Sequence, residues 1–268
     1  MKKRICVLTK TAKPEAKDIA KEIKNYFIQK GNYQIFDKLS QIILKKGLNW
    51  IMVLGGDGAM LHVANEVAPY NIPLIGVNLG HRGYLCQIKR DSLIKDLGSL
   101  DSGNFSIGSY TRIRARITRQ DKIIKEIDAL NEIFIGGINR AVWLELKIDQ
   151  GRSRKTAKII GDGIIFSTQI GSTAYNTYAG GPLLLTDAFS VVACNAWFES
   201  DYFLPNTRAF VIPTNARFQV KSLRGGQHLP YVIADGQRDY RLQKGDKVIV
   251  TRSFGTTRLI DLTKNKKQ

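Results

Sequence analysis

Hydrophobic residues in the first hundred positions alternate between short uninterrupted runs and segments with helical spacing. The runs RICVLT (4–9), WIMVLG (50–55) and IPLIGVN (72–78) have the length and composition of buried strands. Between them, the segments 14–31 and 58–70 repeat apolar residues at three- and four-residue intervals, which is the helical period. Strands that alternate with helices predict an α/β domain with a parallel sheet, over residues 1–105.

The pattern changes after about Ser106, where apolar and polar residues alternate with a period of two. The alternating segments are RIRARITR (112–119), WLELKID (143–149), GIIFST (163–168), RAFVIP (208–213), RFQVKS (217–222) and DKVIVTRS (246–253). Gly, Asn and Asp turn residues separate them, as in antiparallel sheets. We therefore predict a β-rich, sandwich-like second domain over residues 106–249.

Composition narrows the class of protein. The chain has 268 residues, of which 43% are hydrophobic, so it can fill a sizeable core. It holds only three scattered cysteines and no CxxC pair, which argues against a disulfide framework or a zinc site and favours a reducing cytoplasm. No apolar stretch approaches the length of a membrane span, so we expect no membrane partner.

The charge is strongly positive, with 41 Lys and Arg against 23 Asp and Glu and a formal net charge of +18. Such a surplus raises the local concentration of anions. The basic residues are spread along the chain and do not form one stripe with interleaved aromatic residues, so we expect no specific nucleic-acid partner.

The stretch VLGGDGAML, residues 53–61, places an acid, Asp57, among three glycines at the end of a predicted strand. Without Cβ atoms, Gly55, Gly56 and Gly58 would let the backbone take positive φ and approach a phosphate at the N-terminus of the next helix. Asp57 would then hold a magnesium ion or accept a proton from a hydroxyl being phosphorylated, or it would only cap the helix. The stretch is neither a Walker A loop nor a GxGxxG motif.

A second stretch, GDGIIFSTQIGSTAYNTYAGGP (161–182), combines small residues and hydroxyl groups that would form a wall for a flat heterocycle. Tyr175 and Tyr178 would add stacking contacts. Together with GGDG, ALNEIFI (129–135) and ADGQ (234–237), in this order, it makes the chain closely similar to the NAD kinase family. The resemblance covers essentially the whole chain.

The resemblance implies a role for the GGDG stretch at residues 55–58, which we call the glycine corner. Asp57 would be the base that orients or deprotonates the adenosine ribose 2′-hydroxyl of NAD for attack on the γ-phosphate of ATP. The three glycines beside it would shape a phosphate-binding turn. His62 stands where many relatives carry a basic residue that could meet phosphate.

The resemblance also implies a set of NAD contacts. Asn131 and Glu132 would bind ribose hydroxyls and adenine, Asp162 would reach the nicotinamide end, and Gln237 would add a further contact. The other residues expected to line NAD, beside Asp57 and Gly58, are Thr173, Ala174, Tyr175, Asn176, Thr177 and Tyr178. The Asp235-Gly236 pair is explained by a hairpin turn alone.

Two arginines could contact a phosphate, but a charge on a solvated loop explains each of them more simply. Arg82 stands in RGYL, where relatives usually read LGFL, and Arg140 stands in NRA (139–141). We expect both to be charges on solvated loops.

Further properties are implied by the resemblance alone. They are ATP and NAD as substrates, a divalent metal ion, most simply Mg²⁺, with ATP, a homodimer or homotetramer, and a C-terminal tail of about residues 250–268 that returns to the first domain. Two alternatives stay open at this point. The GGDG motif also occurs in lipid kinases of the diacylglycerol and sphingosine type, and the high charge suits a nucleotide- or nucleic-acid-binding protein without catalysis.

Overall fold

The computed structural model describes residues 2–80, 83–149, 151, 154–198 and 208–262. Arg82 and the last residues of the C-terminal tail, 263–268, lie outside this described part. The chain divides into two compact units. One comprises the residues up to Tyr110 together with those from Gly255 onward, and the other comprises Thr111–Phe254.

The first unit is built on alternating strands and helices. They are β1 (Lys3–Thr9), α1 (Glu15–Gln29), β2 (Tyr33–Phe36), α2 (Gln41–Lys45), β3 (Trp50–Gly55), α3 (Asp57–Val67), β4 (Leu74–Asn78) and α4 (Leu93–Ser102). Single 3-10 turns follow α3 at Ala68–Tyr70 and precede α4 at Arg90–Ser92.

The strands of this unit form a parallel sheet in the order β2-β1-β3-β4. Near the C-terminus, Leu259 extends the sheet by pairing in parallel with Leu74. Helix α1 turns its regularly spaced apolar residues to the core, where the Phe27 ring lies 5.4 Å from that of Trp50 in β3. The predicted α/β fold of the first part of the chain is confirmed.

The described part of the second unit consists of strands and one short helix. They are β5 (Ser106–Arg119), which begins in the first unit, β6 (Lys122–Ala129), β7 (Glu132–Gly136), β8 (Val142–Asp149), β9 (Arg154–Gly161), β10 (Gly163–Ser167), α5 (Tyr175–Tyr178), β11 (Ala188–Cys194), β12 (Trp197–Phe198), β13 (Ala209–Pro213), β14 (Arg217–Ser222), β15 (Tyr231–Ala234), β16 (Arg238–Arg241) and β17 (Lys247–Asp261), which ends in the first unit. Two 3-10 turns lie at Ile170–Thr173 and Gly226–His228.

These strands make two antiparallel sheets that pack face to face. One has the order β12-β9-β8-β14-β17 with β5 and β6 added, and the other has the order β13-β11-β10-β7-β15-β16. Alternate residues of each strand enter a common core, for example Leu144 and Leu146 from the first sheet and Ile133 and Ile135 from the second. The predicted β-rich, sandwich-like fold is therefore confirmed.

Within the described part of the chain, no helix is both long enough and apolar enough to span a membrane.

Candidate active site

Asp57 is the first residue of helix α3, and a loop beyond strand β4 holds its carboxylate. One carboxylate oxygen accepts a hydrogen bond from the Tyr84 N–H at 2.7 Å, and the other accepts one from the Leu85 N–H at 3.0 Å. The N-cap position belongs to Gly56, which has extended backbone and no side-chain cap. Asp57 therefore does not cap the helix through its side chain. Its carboxylate is fixed in direction and keeps further lone pairs for a ligand.

The glycines of this corner serve close packing instead of left-handed backbone. Gly55, Gly56 and Gly58 are all absent from the residues with positive φ. A Cβ added to Gly55 would lie 2.7 Å from the Cβ of Ala59, so only glycine lets α3 begin this close to β3. A Cβ on Gly56 would meet nothing within 4 Å, and Gly58 is exposed, so the backbone here is open to a ligand.

Two side chains near this corner differ in their surroundings. His62 is exposed on α3. The Cys86 thiol is buried, and burial together with the nearby Asp57 carboxylate raises its pKa to about 12. This thiol stays neutral at physiological pH, so it offers no nucleophile beside Asp57.

The second unit contains a cavity of about 660 Å³ on the outer face of the sheet that carries β7 and β15. Period-two alternation creates this face, because Ile133 and Ile135 enter the core while Glu132 and Phe134 turn toward the cavity. The lining residues are Glu132, Phe134, Gly137, Ile138, Asn139, Arg140, Ala141, Asp162, Tyr175, Ile233, Asp235 and Gly236. The volume suits an organic ligand.

Asn131 directly precedes β7 and Glu132 is its first residue; both are buried, each with 7% of its surface exposed, and of the two only Glu132 lines the cavity. In the described part of the chain, the Oδ1 atom of Asn131 and the Oε2 atom of Glu132 have no hydrogen-bond partner. Leaving a buried polar atom unsatisfied costs about 1–3 kcal/mol, so such atoms point to a ligand that completes them.

The carboxyl group of Glu132 is also electrostatically unusual. Burial, and after it the negative charge of Asp235, raise the pKa of Glu132 to about 8. Near neutral pH this carboxyl group therefore carries its proton, and it presents a hydrogen-bond donor as well as an acceptor.

Asp162 is the single residue between β9 and β10, and its exposed side chain lies at the cavity. Its carboxylate accepts a hydrogen bond of 2.6 Å from the Asn195 side chain. Tyr175 in α5 lines the same cavity and packs edge-on against Phe134, with 5.9 Å between ring centroids. Glu132, Asp162 and Tyr175, which the resemblance assigns to NAD, thus line the same cavity.

The rest of the predicted NAD-lining segment is tied to its own backbone. The hydroxyl groups of Thr173 and Thr177 donate to the carbonyls of Ile170 and Ser172. The buried Asn176 side chain donates to Ser172 and Pro182. None of the six residues Thr173–Tyr178 except Tyr175 lines the cavity, and Tyr178 is 88% exposed.

Gln237 and Asp235 differ in their position relative to the cavity. Gln237 is exposed and does not line the cavity, whereas Asp235, which was assigned to a turn, lines it and is buried. Arg140, expected on a solvated loop, is exposed but also borders the cavity. The sequence does not indicate that Asp235 lines the cavity, because turn formation alone explains the Asp-Gly pair.

The described residues contain no group of three or more His, Cys, Asp or Glu side chains arranged to hold a metal ion. A magnesium ion usually keeps several waters and takes only one or two carboxylates beside substrate phosphates. The fixed carboxylate of Asp57 fits that mode of binding, in which the protein supplies few ligands. A cage of protein ligands alone is not found among the described residues.

Comparison with known proteins gives two structural neighbours that share the fold. A yeast NADH kinase, solved in complex with NADH, has a TM-score of 0.83 at 19% identity and covers 98% of this chain and 84% of its own. An NAD kinase from Archaeoglobus fulgidus, solved in complex with ATP, has a TM-score of 0.71 at 22% identity and covers 96% of this chain and 92% of its own.

Comparison of sequences identifies the family more specifically than comparison of folds does. An NAD kinase from Natranaerobius thermophilus is 31% identical over 226 residues, which cover 84% of this chain and 76% of that protein. Residues 5–105 match the model of the ATP-NAD kinase N-terminal domain, and residues 130–262 match the model of the C-terminal domain. The chain therefore belongs to the NAD kinase family.

Proposed function

We propose that this protein transfers the γ-phosphate of ATP to the 2′-hydroxyl group of the adenosine ribose of NAD and so produces NADP. The observation that carries this proposal is the family match in both halves of the chain, residues 5–105 and 130–262. A lipid kinase would share GGDG but not the C-terminal half, and a binding protein without catalysis would not need the fixed Asp57.

Asp57 acts as the general base in this proposal. The hydrogen bonds from Tyr84 and Leu85 aim its carboxylate without using all of its lone pairs. It orients the ribose hydroxyl group and takes its proton as the new P–O bond forms. Phosphoryl transfer depends on positioning and charge stabilisation more than on covalent catalysis, so a neutral buried thiol such as Cys86 has no part in it.

The phosphates of ATP bind at the corner between β3 and α3. Gly55, Gly56 and Gly58 leave room for them, the N-terminus of α3 supplies N–H groups and a favourable dipole, and His62 adds a polar group on the exposed side of the helix. Mg²⁺ bound to ATP as part of the substrate would neutralise phosphate charge. The lone carboxylate of Asp57 is the group of this corner that would contact it.

NAD binds to the second unit. Asn131 and Glu132 bind ribose hydroxyl groups and adenine, which is supported by their buried oxygens without protein partners. Asp162 and Tyr175 serve the nicotinamide side of the cavity. The remaining contacts carried over from the family are Gly58, Thr173, Ala174, Asn176, Thr177, Tyr178 and Gln237.

The proposal extends to the organisation of the protein. Residues 1–105, with a returning tail of about 250–268, form the domain of the GGDG motif, and residues 106–249 form the NAD-binding domain. The active form is a homodimer or homotetramer in the cytoplasm. A reducing location is supported by the three cysteines, which are free and buried: Cys6, Cys86 and Cys194.

The test is NADP formation by purified protein from NAD, ATP and Mg²⁺, measured with an NADP-specific dehydrogenase. Parallel reactions contain diacylglycerol or sphingosine in place of NAD, or a chelator in place of Mg²⁺. We expect NADP in the complete reaction only and no phosphorylated lipid. Phosphorylated lipid without NADP, or neither product, would refute the proposal.

A further inference from the structure

The Asp-Gly turn between β15 and β16 makes contacts that a simple chain reversal does not require. The carboxylate of Asp235 accepts hydrogen bonds from three successive backbone N–H groups, those of Leu130 at 3.0 Å, Asn131 at 2.7 Å and Glu132 at 3.4 Å. In return, the Asp235 N–H donates to the Glu132 carbonyl at 3.0 Å. The turn thus holds the backbone that leads into β7 from one side.

The other side of the same backbone is held by Thr168, which follows β10. Its N–H donates to the Asn131 carbonyl at 2.9 Å, and its hydroxyl group donates to the Leu130 carbonyl at 2.6 Å. Thr168 and Asp235 are both buried. The main-chain groups of 130–132 are therefore occupied by protein, while the Oδ1 atom of Asn131 and the Oε2 atom of Glu132 are not.

A buried cation accompanies this arrangement. Arg112 in β5 has only 1% of its surface exposed, and its attractive charge partners are Asp235 and Asp128. Burying a charge is costly unless opposite charge accompanies it. A residue that only closes a turn would not need a buried guanidinium group nearby.

We propose that Asp235 is a positioning residue for NAD, which clamps the backbone of residues 130–132 and so fixes the side chains of Asn131 and of Glu132, the one of the two that lines the cavity. This inference rests on the proposed function, because it assigns those two side chains to NAD. Asp235 acts through them, and ATP binding does not depend on it.

The chain offers a matched control for the substitution. Asp121 also occupies a left-handed turn position, with φ of 60° against 52° for Asp235, and it joins β5 to β6. Its side chain is 88% exposed, and its ion pair is with Lys247. Asparagine tolerates left-handed backbone, so Asp235→Asn and Asp121→Asn change charge and acceptors while they keep the turn.

The first experiment measures NAD affinity by calorimetry and the KM values of NAD and ATP for wild type and both variants. We expect Asp235→Asn to weaken NAD affinity by about tenfold or more, the scale of a lost hydrogen bond to a charged group. The KM of ATP should be unchanged, and Asp121→Asn should match wild type. Equal NAD affinity in Asp235→Asn and wild type would overturn the proposal.

A double-mutant cycle with Glu132→Gln separates positioning from general loss of structure. If Asp235 acts through residues 131 and 132, Asp235→Asn should cost markedly less NAD affinity in the Glu132→Gln background than in wild type. Fully additive effects would contradict the proposal. A wild-type protein that forms no NADP would refute the proposed function itself, whereas active wild type with an unaffected Asp235→Asn variant would refute only the positioning role.

A second variant covers the case in which Asp235→Asn fails to fold. Thr168→Val removes the hydroxyl group that holds the Leu130 carbonyl and leaves the acid in place. A selective loss of NAD affinity in this variant would support the clamp of residues 130–132, and unchanged NAD affinity would overturn it.

Discussion

At the scale of single residues, the buried carboxyl group of Glu132 couples the site to pH. The groups that share its cavity are Asp235 from the β15–β16 turn, Asp162 between β9 and β10, Tyr175 in α5 and Arg140 after β7. Burial first, and Asp235 second, raise the pKa of Glu132 from 4.5 to about 8. Between these two pH values the folded protein must hold a proton that the unfolded chain releases.

The sign of the effect on stability follows from this difference. A carboxyl group whose pKa is higher in the folded state makes folding progressively less favourable as pH rises from about 4.5 to about 8. Glu132→Gln removes the titrating group and keeps the shape. We expect its melting temperature to exceed that of wild type at pH 8 by about 2 °C or more, roughly 1 kcal/mol for a chain of this size.

Thermal unfolding of Glu132→Gln and wild type at several pH values measures this directly. The advantage of the variant should shrink toward pH 5, and Glu126→Gln, at a surface ion pair with Arg116, serves as the control. A difference between variant and wild type that does not change with pH would show that Glu132 does not titrate in this range.

Sequence motifs single out the candidate site residues, but they do not show what surrounds them. The NE pair and Asp57 stand in recognisable motifs, so their types and order are visible. The N–H groups of Tyr84 and Leu85 that fix Asp57 belong to the backbone and leave no side-chain signature. For Asp235 the sequence predicts only a turn, because Asp-Gly suffices for one. The hydrogen bonds to the backbone of residues 130–132 are visible only in the structure.

At the scale of elements, the loop of residues 83–85 after β4 determines where the Asp57 carboxylate lies at the start of α3. A Cβ added to Gly83 would approach the Asp57 Oδ1 atom to 2.7 Å, which real Cβ atoms do not tolerate. Either the loop or the carboxylate must move, and a small displacement of the general base that we propose is costly in rate.

We therefore expect Gly83→Ala to lower kcat by about tenfold or more, because a misplaced general base loses much of its effect. NAD affinity, which we assign to the second unit, should change little. Gly225→Ala is the control, since a Cβ there meets nothing within 4 Å and its φ is −107°. A Gly83→Ala enzyme with wild-type kcat would show that the loop does not set the position of Asp57.

Strands and helices followed from the sequence where periodicity was strong. The continuous apolar run of β3 and the four-residue spacing of α1 predicted both elements, because burial on two faces or on one stripe leaves such patterns. The short helix α5 and the 3-10 turn before it could not be predicted in this way. Side-chain hydrogen bonds from Thr173, Asn176 and Thr177 to nearby carbonyls hold that segment, and such bonds have no period.

At the scale of the whole molecule, each unit has its own apolar core. Along the sequence, the hydrophobic periodicity changes from helical to two-residue near Ser106. The net charge of +18 is a property of the entire chain. NAD and ATP are anions, so a positive surface should speed their encounter with the protein.

We expect kcat/KM for NAD and ATP to fall several-fold when ionic strength rises from roughly 0.05 M to 0.5 M, because salt screens this attraction. The kcat value at saturating substrate should change much less. Steady-state kinetics in potassium chloride, with sucrose as a viscosity control, test this prediction. Constant kcat/KM across the series would show that the charge does not steer these substrates.

The most direct test of the central claim is NADP formation by wild type and Asp57→Asn, with NAD affinity measured on the same samples. Asparagine keeps the size of the side chain and an acceptor for the 83–85 loop, but it removes the base. We predict a loss of kcat of about 10²-fold or more, the scale of general-base removal, with NAD affinity nearly unchanged. A variant that forms NADP as fast as wild type would contradict the role of Asp57.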